Sequence, residues 1–372
     1  MNILIACDKF RGSLNGLEAI EAIKSGLNSV NNSNIIQTAV LADGGEGTFE
    51  LLSAHFECSD LPVEVKNAIG NSISSSIGIN RTEKVAVLEM AKYVGLAQLS
   101  EDQRDPLSTS SYGLGQALMK AINEGARTIY LGIGGSATND GGAGLLAALG
   151  FEFRSEGRKI EPNGGNLSEI EEIVSPKLKV WKNVKIIIAS DVNNPLLGPK
   201  GATYTYAEQK GALTEDFEVL EAGMTHFASH VEKVTGNVVT DKNGYGAAGG
   251  VPLSLCELLG AEISTGSQLL FDLQNLDDKI ENTDLVIAGE GKIDHQTGNG
   301  KAIYPVVEAA LKKNKKVILV CGILDERASK ELKTLTSFQL VEEAKDLGLD
   351  SFKDAKELCF SIGKKIGDQY FY

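Results

Sequence analysis

Five acidic side chains lie in or beside short glycine-rich or turn-type stretches, each just after an apolar run. They are Asp8 in ACDKFRGSL, Asp43 in LADGGEGT, Asp140 in LGIGGSATNDGGAG, Asp191 in IIIASDVNNPL and Glu290 in VIAGEGKID. Buried parallel strands gather the loops at their carboxyl ends on one edge of the sheet, and ligands bind there. Glycine lets backbone N–H groups approach a phosphate, and a helix starting at the loop adds a positive dipole end. Carboxylates beside such loops suit Mg²⁺, or take a proton from a substrate hydroxyl. The pattern predicts phosphoryl chemistry on a small molecule.

Each motif also has a plainer reading. The cluster Gly134, Gly135, Ser136, Ala137, Thr138, Asn139, Asp140 offers many N–H groups, two hydroxyls and an acid, and reads as an anion cradle. Its plainer reading is a tight turn that only packs. Asp43 and Glu46 stand three apart at a strand end, where Asp43 could bond its own backbone and Glu46 could open a helix. Asp191 and Asn193 precede Pro195, so an Asx turn competes with a site. Glu290, wedged between glycines with Lys292 and Asp294 close by, reads as a ligand site. Lys9 and Arg11 flank a helix start near Ser13 and could grip a carboxylate or phosphate, or simply be solvated.

Several chemistries are disfavoured. No Walker-type P-loop is present: Gly300-Lys301 comes nearest, but positions 295 and 302 are His and Ala. The dinucleotide fingerprint has Ala137 where its third glycine belongs. His226 and His230 are four apart on a predicted helix, but no third ligand motif accompanies them. No G-x-S-x-G elbow occurs.

The elements that must position these residues follow from periodicity. Strands are predicted at 3–7, 35–41, 128–133, 184–190, 285–288 and 317–321, and helices at 17–27, 48–55, 112–123, 253–259, 302–312 and 351–367. Ser13 is a candidate N-cap for the first helix, and Gly249-Gly250 opens the helix at 253. Strands at 61–69, 72–80 and 85–89, joined by short polar turns, imply antiparallel pairing. A small hairpin is expected over 151–154 and 159–161. Parallel α/β texture at both ends and mixed texture between suggests a discontinuous domain carrying an insert.

With 42% apolar residues among 372, a large core can be buried. A net charge of −14, from 36 basic and 50 acidic residues, argues against nucleic acid or an anionic membrane as partner. No apolar run approaches the roughly 20 residues that span a bilayer. The five dispersed cysteines contain no C-x-x-C and suit a reducing cytoplasm, and the N-terminus lacks the marks of a signal peptide.

Taken in order, the motifs resemble the bacterial glycerate kinase family, the class unrelated to Walker-type kinases. The resemblance runs from the first strand to about residue 340 and rests on ACDKFRGSL, LADGGEGT, YGLGQAL, LGIGGSATNDGGAG, SDVNNPLLGPKGA, QKGA, GAAGG and AGEGKID, with GK at 300–301. It implies ATP-dependent phosphorylation of D-glycerate, most often at the 2-hydroxyl, giving 2-phosphoglycerate and ADP. It implies an α/β fold of two domains, a flavodoxin-like parallel-sheet domain (1–60 and 275–372) with a second mixed α/β domain (61–274) inserted in its chain. The active-site cleft is expected between them.

On this resemblance the phosphates of Mg·ATP lie near the 134–144 loop. Arg11 or Lys9 holds the glycerate carboxylate, and Asp191 takes the hydroxyl proton or orients that hydroxyl. Glu290 and Asp294 hold Mg²⁺, and Lys301 neutralises the transferring phosphoryl group. Asp8, Ser13, Asp43, Glu46, Asn193, Gly249 and Lys292 complete the expected substrate and nucleotide contacts. Where the family often has Ser-Phe-Lys this chain has Lys9-Phe10-Arg11, which keeps positive charge. Asn193 replaces a frequent Asp and removes a candidate metal ligand, and Glu208 replaces a frequent Pro. The expected partners are D-glycerate and ATP, with a homodimer left open. A sugar-acid sensor without turnover, 3-hydroxyl phosphorylation and a nucleotide-dependent dehydrogenase are the alternatives.

Overall fold

The computed structural model describes residues 1–10, 12–42, 48–239, 242–294 and 303–371. In chain order the first strands are β1 (Asn2–Cys7), β2 (Ile35–Val40), β3 (Ser59–Lys66), β4 (Ser72–Asn80), β5 (Val85–Glu89), β6 (Thr128–Gly132) and β7 (Glu152–Ser155). They are followed by β8 (Arg158–Ile160), β9 (Glu172–Val174), β10 (Lys185–Ala189), β11 (Glu262–Ser264), β12 (Leu285–Ile293), β13 (Lys316–Leu324) and β14 (Thr336–Gln339). The chain divides into two compact units, Met1–Asp43 with Thr265–Tyr372, and Gly44–Ser264.

The first unit is built on a five-stranded sheet in the order β14-β13-β12-β1-β2, with every pairing parallel. Counted within the unit this is order 2-1-3-4-5, the flavodoxin-like arrangement. Alternate residues of one strand serve opposite faces. Ile3, Ile5 and Cys7 meet Ile20, Ile23 and Leu27 of the helix Gly16–Val30 and Leu358 and Ile362 of the helix Ala355–Tyr370. Leu4 and Ala6 pack with Val306, Val307 and Ala310 of the helix Tyr304–Lys312. Helices thus cover both faces, and the inner strands carry the buried apolar runs 3–7, 285–288 and 317–321, as buried parallel strands do. The first helix is entered through Asn15 rather than Ser13. Asn15 and Glu18 form a reciprocal capping box at 2.9 Å each way, because Ser13 is drawn into the tight turn before it.

The second unit carries a six-stranded sheet, β11-β10-β6-β5-β4-β3. Strands β11, β10, β6 and β5 run parallel, while β5-β4-β3 is the expected antiparallel meander. A separate three-stranded antiparallel sheet, β8-β7-β9, contains the expected hairpin and one further strand. Tyr93, Leu114, Leu118, Leu131, Ile188 and Phe227 are among the fully buried residues of its core.

Candidate active site

Two groups of residues form, one on the carboxyl edge of each parallel sheet. In the first unit Cys7 and Gly289 are register partners on β1 and β12. Asp8 and Glu290 each follow one residue later, and the Asp8 N–H donates to the Gly289 carbonyl at 2.9 Å. Both carboxylate residues are nearly buried, at 8% and 7% exposure. The strand order reverses between β1 and β12, and a doubly wound sheet binds its ligand at that point. Asp8 also accepts the Lys9 N–H at 2.7 Å, which shapes the turn, and Lys9 in turn accepts Gly291 N–H at 3.3 Å. Ser13 spends its hydroxyl on the Phe10 carbonyl at 3.0 Å.

Strands β12 and β13 continue beyond their neighbours as a two-stranded arm, with Lys292 opposite Ile323 and Ile293 opposite Leu324. Glycine is required at 322, where a Cβ would overlap the Gly291 carbonyl oxygen. The arm carries Lys292, 3.8 Å from Asp294 and 3.4 Å from Asp325. Arg327 grips Asp325 bidentately at 3.0 and 2.9 Å. Those bonds hold the Asp325 carboxyl well below the usual carboxylate range. Asp325 and Arg327 were not foreseen. Their signal is an acid right after an apolar strand, which runs past Cys321 to Leu324.

In the second unit, β6 lies between β5 and β10, with Glu89, Gly132 and Ala189 in register. The glycine-rich loop therefore leaves the sheet between Glu89 and the Ser190–Asp191 turn. Ser190 N–H donates to Ser264 at the end of β11, at 3.0 Å. Glu89 is a further acid on this edge that the sequence reading passed over as a strand residue.

The loop itself has an exposed tip and a buried stem. Gly134 and Gly135 are exposed, and Gly135 has φ +68. Ser136 is 6% exposed, and Thr138, Asn139 and Asp140 are fully buried. Asp140 does not face solvent: its carboxylate accepts Ser111 N–H at 2.7 Å, the Ser111 hydroxyl at 2.8 Å, Gly142 N–H at 3.1 Å and Gly144 N–H at 3.2 Å. It occupies the start of the short helix Ala143–Ala148. Burial still pushes its carboxyl above the ordinary range, against those four bonds. Gly249, with φ +67, lies so close to the stem that a Cβ would overlap the Thr138 carbonyl oxygen.

Asp191 is half-buried and Asn193 exposed. The neighbouring Asn194 is structural, donating to Lys200 O at 2.8 Å and accepting the Tyr206 hydroxyl at 2.9 Å. Arg11, Asp43, Glu46 and Lys301 lie outside the described residues. His226 donates from Nε2 to the Ile170 carbonyl at 2.6 Å, and His230 from Nδ1 to His226 O at 3.1 Å. Their ring nitrogens thus serve the fold, and among the described residues no group of three metal-ligating side chains forms. All five cysteines are free, and burial, with Glu290 nearby, pushes the Cys321 thiol up to about 12. No described helix is long and apolar enough to cross a membrane.

Comparison with known proteins agrees with this architecture. The model of the glycerate kinase family matches residues 3–370. A relative from Bacillus subtilis (strain 168), named glycerate kinase, is 38% identical over 98% of this chain and 97% of its own. One from Escherichia coli (strain K12), named glycerate 2-kinase, is 37% identical over 88% of this chain and 86% of its own. A crystal structure from Salmonella typhimurium LT2, described under the name glycerate kinase 2, superposes with a TM-score of 0.85 at 34% identity, covering 99% of this chain and 98% of that one. On this full-length match the chain belongs to the glycerate kinase family and is a kinase.

Proposed function

We propose that the protein transfers the terminal phosphoryl group of ATP to the 2-hydroxyl of D-glycerate, forming 2-phosphoglycerate and ADP. The observation that carries this reading is the family match across residues 3–370. A kinase family implies ATP use, and the choice of hydroxyl follows the name of the Escherichia coli relative.

The donor set at the β12 end fits Mg²⁺. Magnesium takes hard oxygen ligands, commonly one or two carboxylates with substrate phosphates and water completing the octahedron. Glu290, nearly buried within β12, would supply such a carboxylate, and Asp294, four residues of extended strand further on, would act through a bound water. Bound there, the ion would neutralise charge on the phosphates. The protein's own contribution is positioning and charge stabilisation, which dominate phosphoryl transfer. In this reading Lys9 or Arg11 holds the substrate carboxylate and Asp191 accepts the proton from the attacking hydroxyl. Gly134, Gly135 and Ser136 approach the nucleotide phosphates with backbone N–H groups, and Lys301 offsets charge on the transferred group. Asp140 supports that loop from within rather than touching the nucleotide.

The test is glycerate-dependent release of ADP by purified protein with Mg·ATP, abolished by chelation of the metal. ADP release indifferent to glycerate across a range of pH and divalent ions would refute the proposal.

A further inference from the structure

Lys210 is 2% exposed, one of the largest fully buried side chains of the molecule, and nothing in the proposed reaction uses it. It ends the single 3₁₀ turn Glu208–Lys210. Gly211 follows with φ +100, and a Cβ there would overlap the Arg104 carbonyl oxygen, so the turn is locked against its neighbour. From this turn the Lys210 ammonium donates to the Thr138 carbonyl at 2.7 Å, in the stem of the glycine-rich loop.

The stem is held residue by residue from other parts of the unit. Ala137 donates its N–H to Val94 O at 3.0 Å, and its carbonyl accepts the Thr109 hydroxyl at 3.1 Å. The Thr138 carbonyl sits between Lys210 and the backbone of Gly249. Asn139 donates from Nδ2 to Thr203 Oγ1 at 3.3 Å, and Gly141 N–H to Gly249 O at 2.9 Å. Asp140, whose four donors are all uncharged, is fully buried in the same stem. Burial pushes the Lys210 amine down to about 7, and attraction to Asp140 opposes that shift.

We propose that Lys210 is a positioning residue: by bonding Thr138 it fixes the stem, and through the stem it sets how Gly134–Ser136 meet the nucleotide phosphates. This rests on the reading of the loop as the phosphate-contacting element.

The experiment compares Lys210→Met, which removes charge and bond, with Lys210→Gln, which keeps a donor for Thr138. Leu220→Ala serves as a control for lost stability, since Leu220 is buried in the same small cluster as Ala207 and Ala212. Thermal stability, kcat, and KM for Mg·ATP and for D-glycerate are measured for each. Lys210→Met is expected to raise the nucleotide KM on the order of 10- to 100-fold, the scale of a misplaced binding element, while the glycerate KM stays within about two-fold. Lys210→Gln should fall between it and the wild type, and Leu220→Ala should lower stability without moving the nucleotide KM. An unchanged nucleotide KM in both lysine variants overturns the proposal. So does an equal rise in Leu220→Ala, or failure of both lysine variants to fold, since the lysine would then serve folding alone. If wild-type protein shows no glycerate-dependent turnover, the proposed function fails separately. Calorimetric Mg·ATP binding then reads Lys210: a rise of the same order in Kd for Lys210→Met supports positioning, and an unchanged Kd contradicts it.

Discussion

Asp8, just past β1, and Glu290, within β12, stand at the same height on neighbouring parallel strands, because Cys7 and Gly289 are register partners and the Asp8 N–H bonds the Gly289 carbonyl at 2.9 Å. These two nearly buried carboxylate residues stand where the strand order reverses, the place where a doubly wound sheet takes its ligand. Glu290→Gln keeps the shape and removes the charge. If Glu290 holds Mg²⁺, the variant should need on the order of 10- to 100-fold more Mg²⁺ for half-maximal turnover, the scale of a lost or weakened ligand. A Mg²⁺ titration of ADP release checks this, and a wild-type titration curve would remove Glu290 from the metal site.

In the proposed reaction Asp191 accepts the proton of the attacking hydroxyl. Asp191→Asn should lose on the order of 10²–10⁴ in kcat, the usual range for a general base, while its thermal transition stays near that of the wild type. A nearly active variant would return Asp191 to a turn-forming role before Pro195.

Gly249→Ala tests the stem from the opposite side to Lys210. The residue has φ +67, and its Cβ would overlap the Thr138 carbonyl oxygen. Left-handed strain and the overlap together should destabilise the protein by at least about 2 kcal/mol, with a rise in nucleotide KM. Urea unfolding gives the first quantity and steady-state kinetics the second; a neutral substitution would mean the stem shifts freely.

The buried amine of Lys210 makes stability depend on pH with a definite sign. Its folded value lies near about 7, below the ordinary 10.5, so between those values the unfolded chain binds more protons. Stability contributed by this group therefore rises with pH, is fully present above about 10.5 and is lost as pH falls through about 7. Thermal melts from pH 6.5 to 9.5 should show wild type gaining on Lys210→Met as pH rises. A constant gap would mean the amine is not shifted.

Much of this was legible in the chain because buried parallel strands write themselves as apolar runs and their carboxyl ends as acids and glycines. Asp8, Asp191 and Glu290 stand out in the sequence that way. Asp140 was visible but its role was not: a glycine-rich loop offers its N–H groups equally to a phosphate or to its own carboxylate, and here the carboxylate takes them. Asp325 escaped because Gly322 looks like a strand stop, whereas it is what lets β13 pass close to Gly291. Lys210 escaped because a lysine before glycine reads as a solvated turn, and only the tertiary fold buries it.

The central claim is transfer from ATP to the 2-hydroxyl of D-glycerate, and phosphorus NMR of a reaction run to completion tests it most directly. The two monophosphates of glycerate give distinct signals, since one phosphate sits on a secondary carbon beside the carboxylate and the other on a primary carbon. A single new resonance matching 2-phosphoglycerate, growing in step with ADP, is the predicted result. A dominant 3-phosphoglycerate resonance would contradict it, and the anchoring assigned to Lys9 or Arg11 and the proton transfer assigned to Asp191 would both have to be reversed in direction along the substrate.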